Sequence, residues 1–285
     1  MSDRLFRWQI GDVSITRVQE FEAPGMRFLL PDATRENLEK IDWIGPYVDA
    51  QGEAVGSVHS LLLEVGERCI IVDTCIGNDK DRLPMKFWHQ RHGPFLEDLA
   101  AAGFPVERID TVVCTHLHVD HVGWNTRLID DRWVPTFPNA RTLVVKSEWE
   151  HWNQEDDETM QKVLGDSVQP LFDEGLVDLV NEDHAVAEGV WLESTPGHTP
   201  GHVAVRIRSR GEEAVITGDL VHHPAQFAHP GWDDLADSDA ALADRTRRDF
   251  MERFADTPTL VIGTHFAGPT AGRLVRDGSV YRLDG

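Results

Sequence analysis

The sequence predicts an α+β fold, and three observations carry the prediction. Apolar runs with strand periodicity come in two batches, each batch is followed by a helical pattern, and single polar residues stand where several of the runs end. In the first batch, residues 6–20 alternate as two strands around the Gly11-Asp12 turn, and 58–65 with 69–72 form a hairpin around Gly66-Glu67. Residues 95–102 read as a short amphipathic helix ahead of a buried strand at 109–114. Residues 143–145 form another buried strand, and Ser147 caps a helix running to about residue 163 with Glu150 as its capping-box partner. In the second batch, 202–208 pairs with 214–217, 240–254 is the last helix, and 260–264 is the strand that His265 ends. The chain reads as one domain, 1–285, with inserted segments near 21–56 and 222–245 and no low-complexity linker.

The most informative segment follows the 109–114 strand. Thr115-His116-Leu117-His118-Val119-Asp120-His121 places four potential metal ligands within six residues. An extended chain sends residues i and i+2 to one side, so His116 and His118 can close on one cation while Asp120 and His121 turn toward a second. Four ionisable groups packed so closely at a strand mouth would be costly to desolvate without a cation. Three more candidates end downstream apolar runs or sit in turns: His198 in the Gly/Pro-rich stretch 195–202, Asp219 after 214–218, and His265 after 260–264. Together they complete a ligand set for two metal ions.

On these residues the chain resembles the metallo-β-lactamase fold superfamily of metal-dependent hydrolases. The family pattern is a strand-ending Asp, an HxHxDH motif, a His in a Gly/Pro-rich loop, a bridging Asp and a final His. Here those fall, in order, on Asp73, the 116–121 block, His198, Asp219 and His265. The resemblance implies a four-layer αββα sandwich, two sheets packed together with helices outside. It also implies that His116, His118 and His198 bind one metal, that Asp120, His121 and His265 bind the other, and that Asp219 bridges both. Asp73 then orients a metal-bound imidazole without touching the metal. Imidazole and carboxylate donors without thiolate suit zinc first, with manganese, cobalt and iron also compatible. Two such cations sharing a water lower its pKa toward about 7 and supply a bridging hydroxide as nucleophile. Asp120 is expected to orient that nucleophile and to carry its proton to the leaving group.

Composition narrows the partners. The formal charge of −22 argues against nucleic acid as substrate. The acidic runs at 155–158 and 232–239 read as solvated surface. Cys69, Cys75 and Cys114 share no metal-binding spacing and read as small buried residues in a reducing compartment. Residues 1–10 hold charges and no apolar leader core, and no apolar run is long enough for a bilayer. The expectation is a soluble cytoplasmic enzyme without membrane attachment, open to forming a homodimer.

Within the superfamily, Asp219 separates the chain from the zinc β-lactamases, which generally lack a bridging aspartate. The stretch 218–227, with His229-Pro230 and Asp237-Ser238-Asp239, looks most like the methyl-parathion-hydrolase-like branch. Quorum-quenching lactonases often carry a tyrosine three residues after the bridging aspartate; His222 stands there, and its imidazole could donate to a substrate carbonyl. His202 and His223 read as supporting residues. A pocket for an apolar or aromatic group is expected from Phe21, Met26, Phe28, Trp124, Phe227, Trp232 and Phe266, and the island 85–92 reads as a solvated helix start or an anchor for a substrate carboxylate. The expected activity is hydrolysis of lactones or carboxylic (aryl) esters, with promiscuous action on organophosphates. Other reaction classes on this scaffold are a mononuclear iron persulfide dioxygenase and a thioester or amide hydrolase.

Overall fold

A computed structural model describes residues 5–285; the first four, part of the charged N-terminal stretch in which no leader is expected, lie outside the described residues. Strands β1 (Arg7–Ile10), β2 (Val13–Pro24), β3 (Val55–Val65), β4 (Arg68–Val72) and β5 (Thr111–Val113) follow one another across a first sheet. β6 (Thr126–Ile129) and β7 (Arg132–Pro135) leave it as a separate hairpin, and β8 (Arg141–Val145) and β9 (Val177–Val180) return to its far edge. The second sheet runs in chain order through β10 (Ala185–Ala187), β11 (Val190–Ser194), β12 (Val203–Ser209), β13 (Glu212–Ile216), β14 (Leu260–Ile262), β15 (Ala271–Asp277) and β16 (Val280–Asp284). Pairing is parallel from β4 to β9 and between β13 and β14, where helical crossovers intervene, and antiparallel elsewhere.

Alternation along the strands sorts side chains between three cores. Leu61, Leu63, Ile70, Val72 and Val113 of the first sheet meet Val203, Val205, Ile207, Ile216 and Ile262 of the second. Their neighbours Leu62, Ile71 and Val112 face outward and are covered by helices α2 (Phe95–Ala101), α3 (Lys146–Trp152) and α4 (Glu158–Ser167) through Phe95, Leu99, Trp152 and Val163; α1 (Arg35–Leu38), α5 (Gln169–Asp173) and α6 (Ala225–Ala228) are short helices between these elements. On the far side Ala204, Val215 and Val261 are covered by Phe250 and Phe254 of α7 (Ala240–Phe254) and by Leu30, Leu38 and Ile44 of the N-terminal insert. The result is the expected four-layer helix–sheet–sheet–helix stack. No helix among the described residues is long and apolar enough to cross a membrane.

The helix expected from Ser147 to about residue 163 is two helices. α3 ends at Trp152, and Asp157 opens α4 by accepting the Met160 amide at 2.8 Å. An aspartate is worth more as an N-cap than in a helix interior, and the break lets Trp152 and Met160 enter the same core. Ser147 spends its hydroxyl on Glu182, so the capping box with Glu150 is absent.

The segment between β4 and α2 is pinned from below by two buried basic side chains, Lys80 and Arg82. Lys80 Nζ donates to Thr126 Oγ1 (2.6 Å) and to the Asp166 carbonyl (3.0 Å), and lies 3.7 Å from the Trp133 ring centroid. Arg82 grips both Asp166 oxygens at 2.6 and 2.8 Å. Burial pushes the Lys80 ammonium down from 10.5 to about 7, against the pull of Asp166. Above pH 7 the folded protein therefore holds one proton fewer here than the unfolded chain, so this group makes stability rise with pH from 7 toward 10.5. Lys80→Met is expected to remove that slope. In urea unfolding at fixed metal loading, the wild-type gain between pH 7 and 8.5 should exceed the variant's by about 1–2 kcal/mol. Equal slopes would show that Lys80 stays charged.

Candidate metal centre

The proposed ligands come from strand ends of both sheets and converge on one buried cluster. His116, His118, Asp120 and His121 lie in the turn after β5; His198 lies between β11 and β12, Asp219 follows β13, and His265 follows β14. Donor atoms of His116, His118, His198 and Asp219 fall within 4.8 Å of one another, and so do those of Asp120, His121 and His265. Asp219 sits between the two groups: Oδ2 is 3.6 Å from His116 Nε2, 3.5 Å from His198 Nε2 and 3.2 Å from His121 Nε2, and Oδ1 is 3.1 Å from His265 Nε2. Asp120 reaches His121 and His265 at 3.6 Å each.

The outer nitrogens show what holds these rings. Asp73 takes a left-handed turn after β4 (φ 55°), and one carboxylate then serves three donors. Its Oδ1 accepts the Thr115 amide at 2.8 Å, and its Oδ2 accepts Thr115 Oγ1 at 2.8 Å and His121 Nδ1 at 2.9 Å. His265 Nδ1 donates to the Ser57 carbonyl at 2.8 Å, and His198 Nδ1 stands 3.2 Å from Asp237 Oδ1. With Nδ1 of each ring committed to an oxygen, His121 and His265 turn their Nε2 atoms on each other at 3.2 Å, where a shared cation, a proton or a metal, satisfies both. His116 Nε2 and Asp219 Oδ1 are buried without a hydrogen-bond partner. These residues fit divalent metal ions, as carboxylate-oriented imidazoles do elsewhere.

The electrostatics agree. Burial keeps His116 and His198 neutral well below the ordinary histidine range and takes His118 down to about 4. Burial also opposes charge on His121, but Asp219, Asp73 and Asp120 outweigh it and raise this histidine well above its usual value. The carboxylates that draw a proton there would draw a metal cation in its place.

Two supports were not visible in the sequence reading. Glu148 of α3 is buried; Oε1 accepts the Leu117 amide (3.1 Å) and Trp152 Nε1 (2.8 Å), and Oε2 accepts the Gly201 amide (3.0 Å). One carboxylate thus ties the 116–121 turn to the loop bearing His198. The approach is so close that a Cβ on Gly201 would stand 2.4 Å from the Glu148 amide nitrogen. The signal was its spacing: Glu148 is one helical turn before the buried Trp152, on the inward face. The second support corrects the reading of 232–239 as solvated at two of its aspartates: Asp234 is buried and Asp237 joins Arg247 Nη2 (3.0 Å) to His198, because their side chains turn back toward the centre, while Asp233 and Asp239 are exposed as expected. The run 155–158 is exposed, as expected.

His202 Nε2 accepts the Asp219 amide at 2.8 Å, and His223 Nε2 meets the Tyr47 carbonyl at 3.0 Å, so both brace the backbone. His222 departs from expectation. Its Nε2 lies 3.0 Å from Asp219 Oδ2 and its Nδ1 2.6 Å from Asp234 Oδ2, which leaves no ring nitrogen for a substrate carbonyl.

A cavity of about 340 Å³ opens onto the centre at Asp120 and His265. Phe21, Met26 and Phe28 line it as expected, together with Val58, Met85, Phe87 and Trp88. The island 85–92 is therefore no helix start; it is turn structure, and its first four residues form a wall. Trp124, Phe227, Trp232 and Phe266 lie elsewhere. Trp124 stacks on Phe95 and donates to Glu20, Phe227 and Phe266 pack beneath the second sheet, and Trp232 stacks on His229.

Comparison with known proteins matches the family described as the Metallo-beta-lactamase superfamily over residues 54–265. Among solved structures, the hydrolase AbOPH of the beta lactamase superfamily superposes with a TM-score of 0.83 at 25% identity, covering 100% of this chain and 98% of that one. The dizinc quorum-quenching lactonase AidC, in complex with a homoserine product, gives 0.81 at 21% identity, covering 99% and 98%. An N-acyl homoserine lactonase of a Bacillus species is 29% identical over 118 residues, 41% of this chain and 40% of that protein. A ribonuclease of Thermus thermophilus is 25% identical over 221 residues, 71% of this chain and 44% of its own. The chain spans less than half the length of these two curated relatives.

Proposed function

The chain belongs to the metallo-β-lactamase superfamily, and from that premise we propose that it is a two-metal hydrolase of lactones or carboxylic esters, aryl esters included, with organophosphate triesters as secondary substrates. The observation that carries this reading is the junction of an apolar cavity with the His/Asp cluster at Asp120 and His265. His116, His118 and His198 would hold one cation, Asp120, His121 and His265 the other, and Asp219 both. A divalent ion bound there polarises an ester carbonyl and brings the pKa of a coordinated water toward about 7.

The chain's own residues supply the rest. Phe21, Met26, Phe28 and Trp88 take the apolar part of the substrate and exclude water around it. A volume of about 340 Å³ stands at the small end for ligand sites, which suits a single aryl group or a modest acyl chain. Asp120, at the cavity floor, is placed to accept a proton from the attacking water at a carboxylate oxygen and return it to the departing oxygen. Ser57 and Asp73 hold His265 and His121 with their Nε2 atoms toward the centre. The 29% identical lactonase and the 25% identical hydrolase structure support hydrolysis as the reaction class.

The test is proton release by zinc-loaded protein from γ-lactones, aryl esters and a phosphotriester. We expect lactones or aryl esters to give the highest kcat/KM, abolished by chelation and restored by metal. Absence of metal-dependent proton release from all three would sink the reading. Phe21→Ala should raise KM for a phenyl ester roughly tenfold with kcat little changed, the value of one aromatic contact. An unchanged KM would place the substrate elsewhere.

A further inference from the structure

His222 has the same two-sided arrangement as the residues assigned to the centre. In His121, His198 and His265 the Nδ1 atom faces a carboxylate or carbonyl oxygen and the Nε2 atom faces the cluster. In His222, Nδ1 is 2.6 Å from Asp234 Oδ2 and Nε2 is 3.0 Å from Asp219 Oδ2. The ring is fully buried and lies parallel to His265, 7° between planes and 5.4 Å between centroids. Asp219, His222 and His265 bring their donor atoms within 4.8 Å of one another.

We propose that His222 Nε2 is itself a metal ligand, on the side of the centre shared by His265 and Asp219. The inference rests on the metal-centre reading above. Two donors about 2.1 Å from one ion and at right angles stand about 3.0 Å apart. The separations of 3.0 Å for His222 and Asp219, 3.1 Å for His265 and Asp219, and 3.2 Å for His121 and Asp219 match that spacing. The Asp234 carboxylate 2.6 Å from the outer nitrogen is placed to set the tautomer with the lone pair inward, as carboxylates do for metal-bound imidazoles. His222 would then add a donor to the side of the centre that His265 and Asp219 share.

The experiment is proton NMR of the cobalt-substituted protein, with metal content measured on the same sample. Each coordinated imidazole carries one solvent-exchangeable N–H shifted far outside the ordinary range by the paramagnetic ion. We expect two cobalt ions per chain and six such signals, from His116, His118, His121, His198, His222 and His265. One signal should vanish in His222→Phe, and one should move without vanishing in Asp234→Asn. Two cobalt ions with five signals, whatever the variants do, would overturn the assignment and leave His222 as a hydrogen-bond partner of Asp219. Failure to bind cobalt would overturn the centre as well, so the two failures are distinguishable on the unmutated protein.

Discussion

Asp219→Ala is expected to strip the centre of metal and to lower hydrolysis by at least ~10³-fold. No other residue among those described is so placed. Its two oxygens lie within 3.6 Å of ring nitrogens from five histidines, His116, His121, His198, His222 and His265. The carboxylate is buried, and although burial alone would raise its pKa, His121, His265 and the neighbouring imidazoles hold it well below the ordinary aspartate range. It is therefore a permanent negative charge at the point where two cations would need one. Removing it leaves neutral rings facing one another and nothing to balance the ions. Metal content by mass spectrometry, read beside kcat/KM, checks the expectation. A variant that keeps two metals and loses only activity would show that Asp219 does not bridge.

Asp120→Asn is expected to do the opposite: keep most of the metal and lose turnover by roughly 10²–10⁴-fold, the usual contribution of a general acid or base. Asp120 is the proposed ligand at the cavity floor, and it stands 3.6 Å from both His121 and His265, where Asp219 stands 3.2 and 3.1 Å from the same two rings. Asparagine preserves the shape and one oxygen donor but cannot hold a proton for transfer. The pair of measurements is metal content and kcat, and loss of both in proportion would reduce Asp120 to a ligand alone. Together the two aspartate variants separate holding the ions from using them.

The sequence was most legible where one local rule sufficed. Apolar runs flanking the Gly66-Glu67 turn located β3 and β4 within three residues of their observed ends, and the helix read over 240–254 matches α7 at both ends. The HxHxDH block, Asp73, His198, Asp219 and His265 meet in space because each ends a strand or sits in a tight turn on one edge of the sandwich. Legibility failed where partners are remote. β9, β10, β11, β15 and β16 lie at or toward the sheet edges, short or half exposed, and their pairing depends on a neighbour that no local pattern names. Asp234 and Asp237 looked like solvated charges because their partners, His222 and His198, are 12 and 39 residues away in the chain. Phe266 was assigned to the cavity because it follows His265, whereas the side chain next to a strand-end residue points into the opposite layer; Phe227 was assigned as part of the second insert, whose helix Ala225–Ala228 turns it beneath the second sheet.

The Glu148 tie has a consequence for where tolerance to change ends. Donors for each proposed ion come from both sheets, and the interlocked aliphatic layer between them, with the Glu148 tie at its rim, sets one sheet's height against the other. Interiors so closely packed respond to a lost methyl by shifting, by fractions of an ångström, rather than by absorbing it. A change such as Ile216→Val, far from any substrate, then becomes a change in the distance between His116 and His265, and the affinity for metal acts as a vernier on the registration of the two halves.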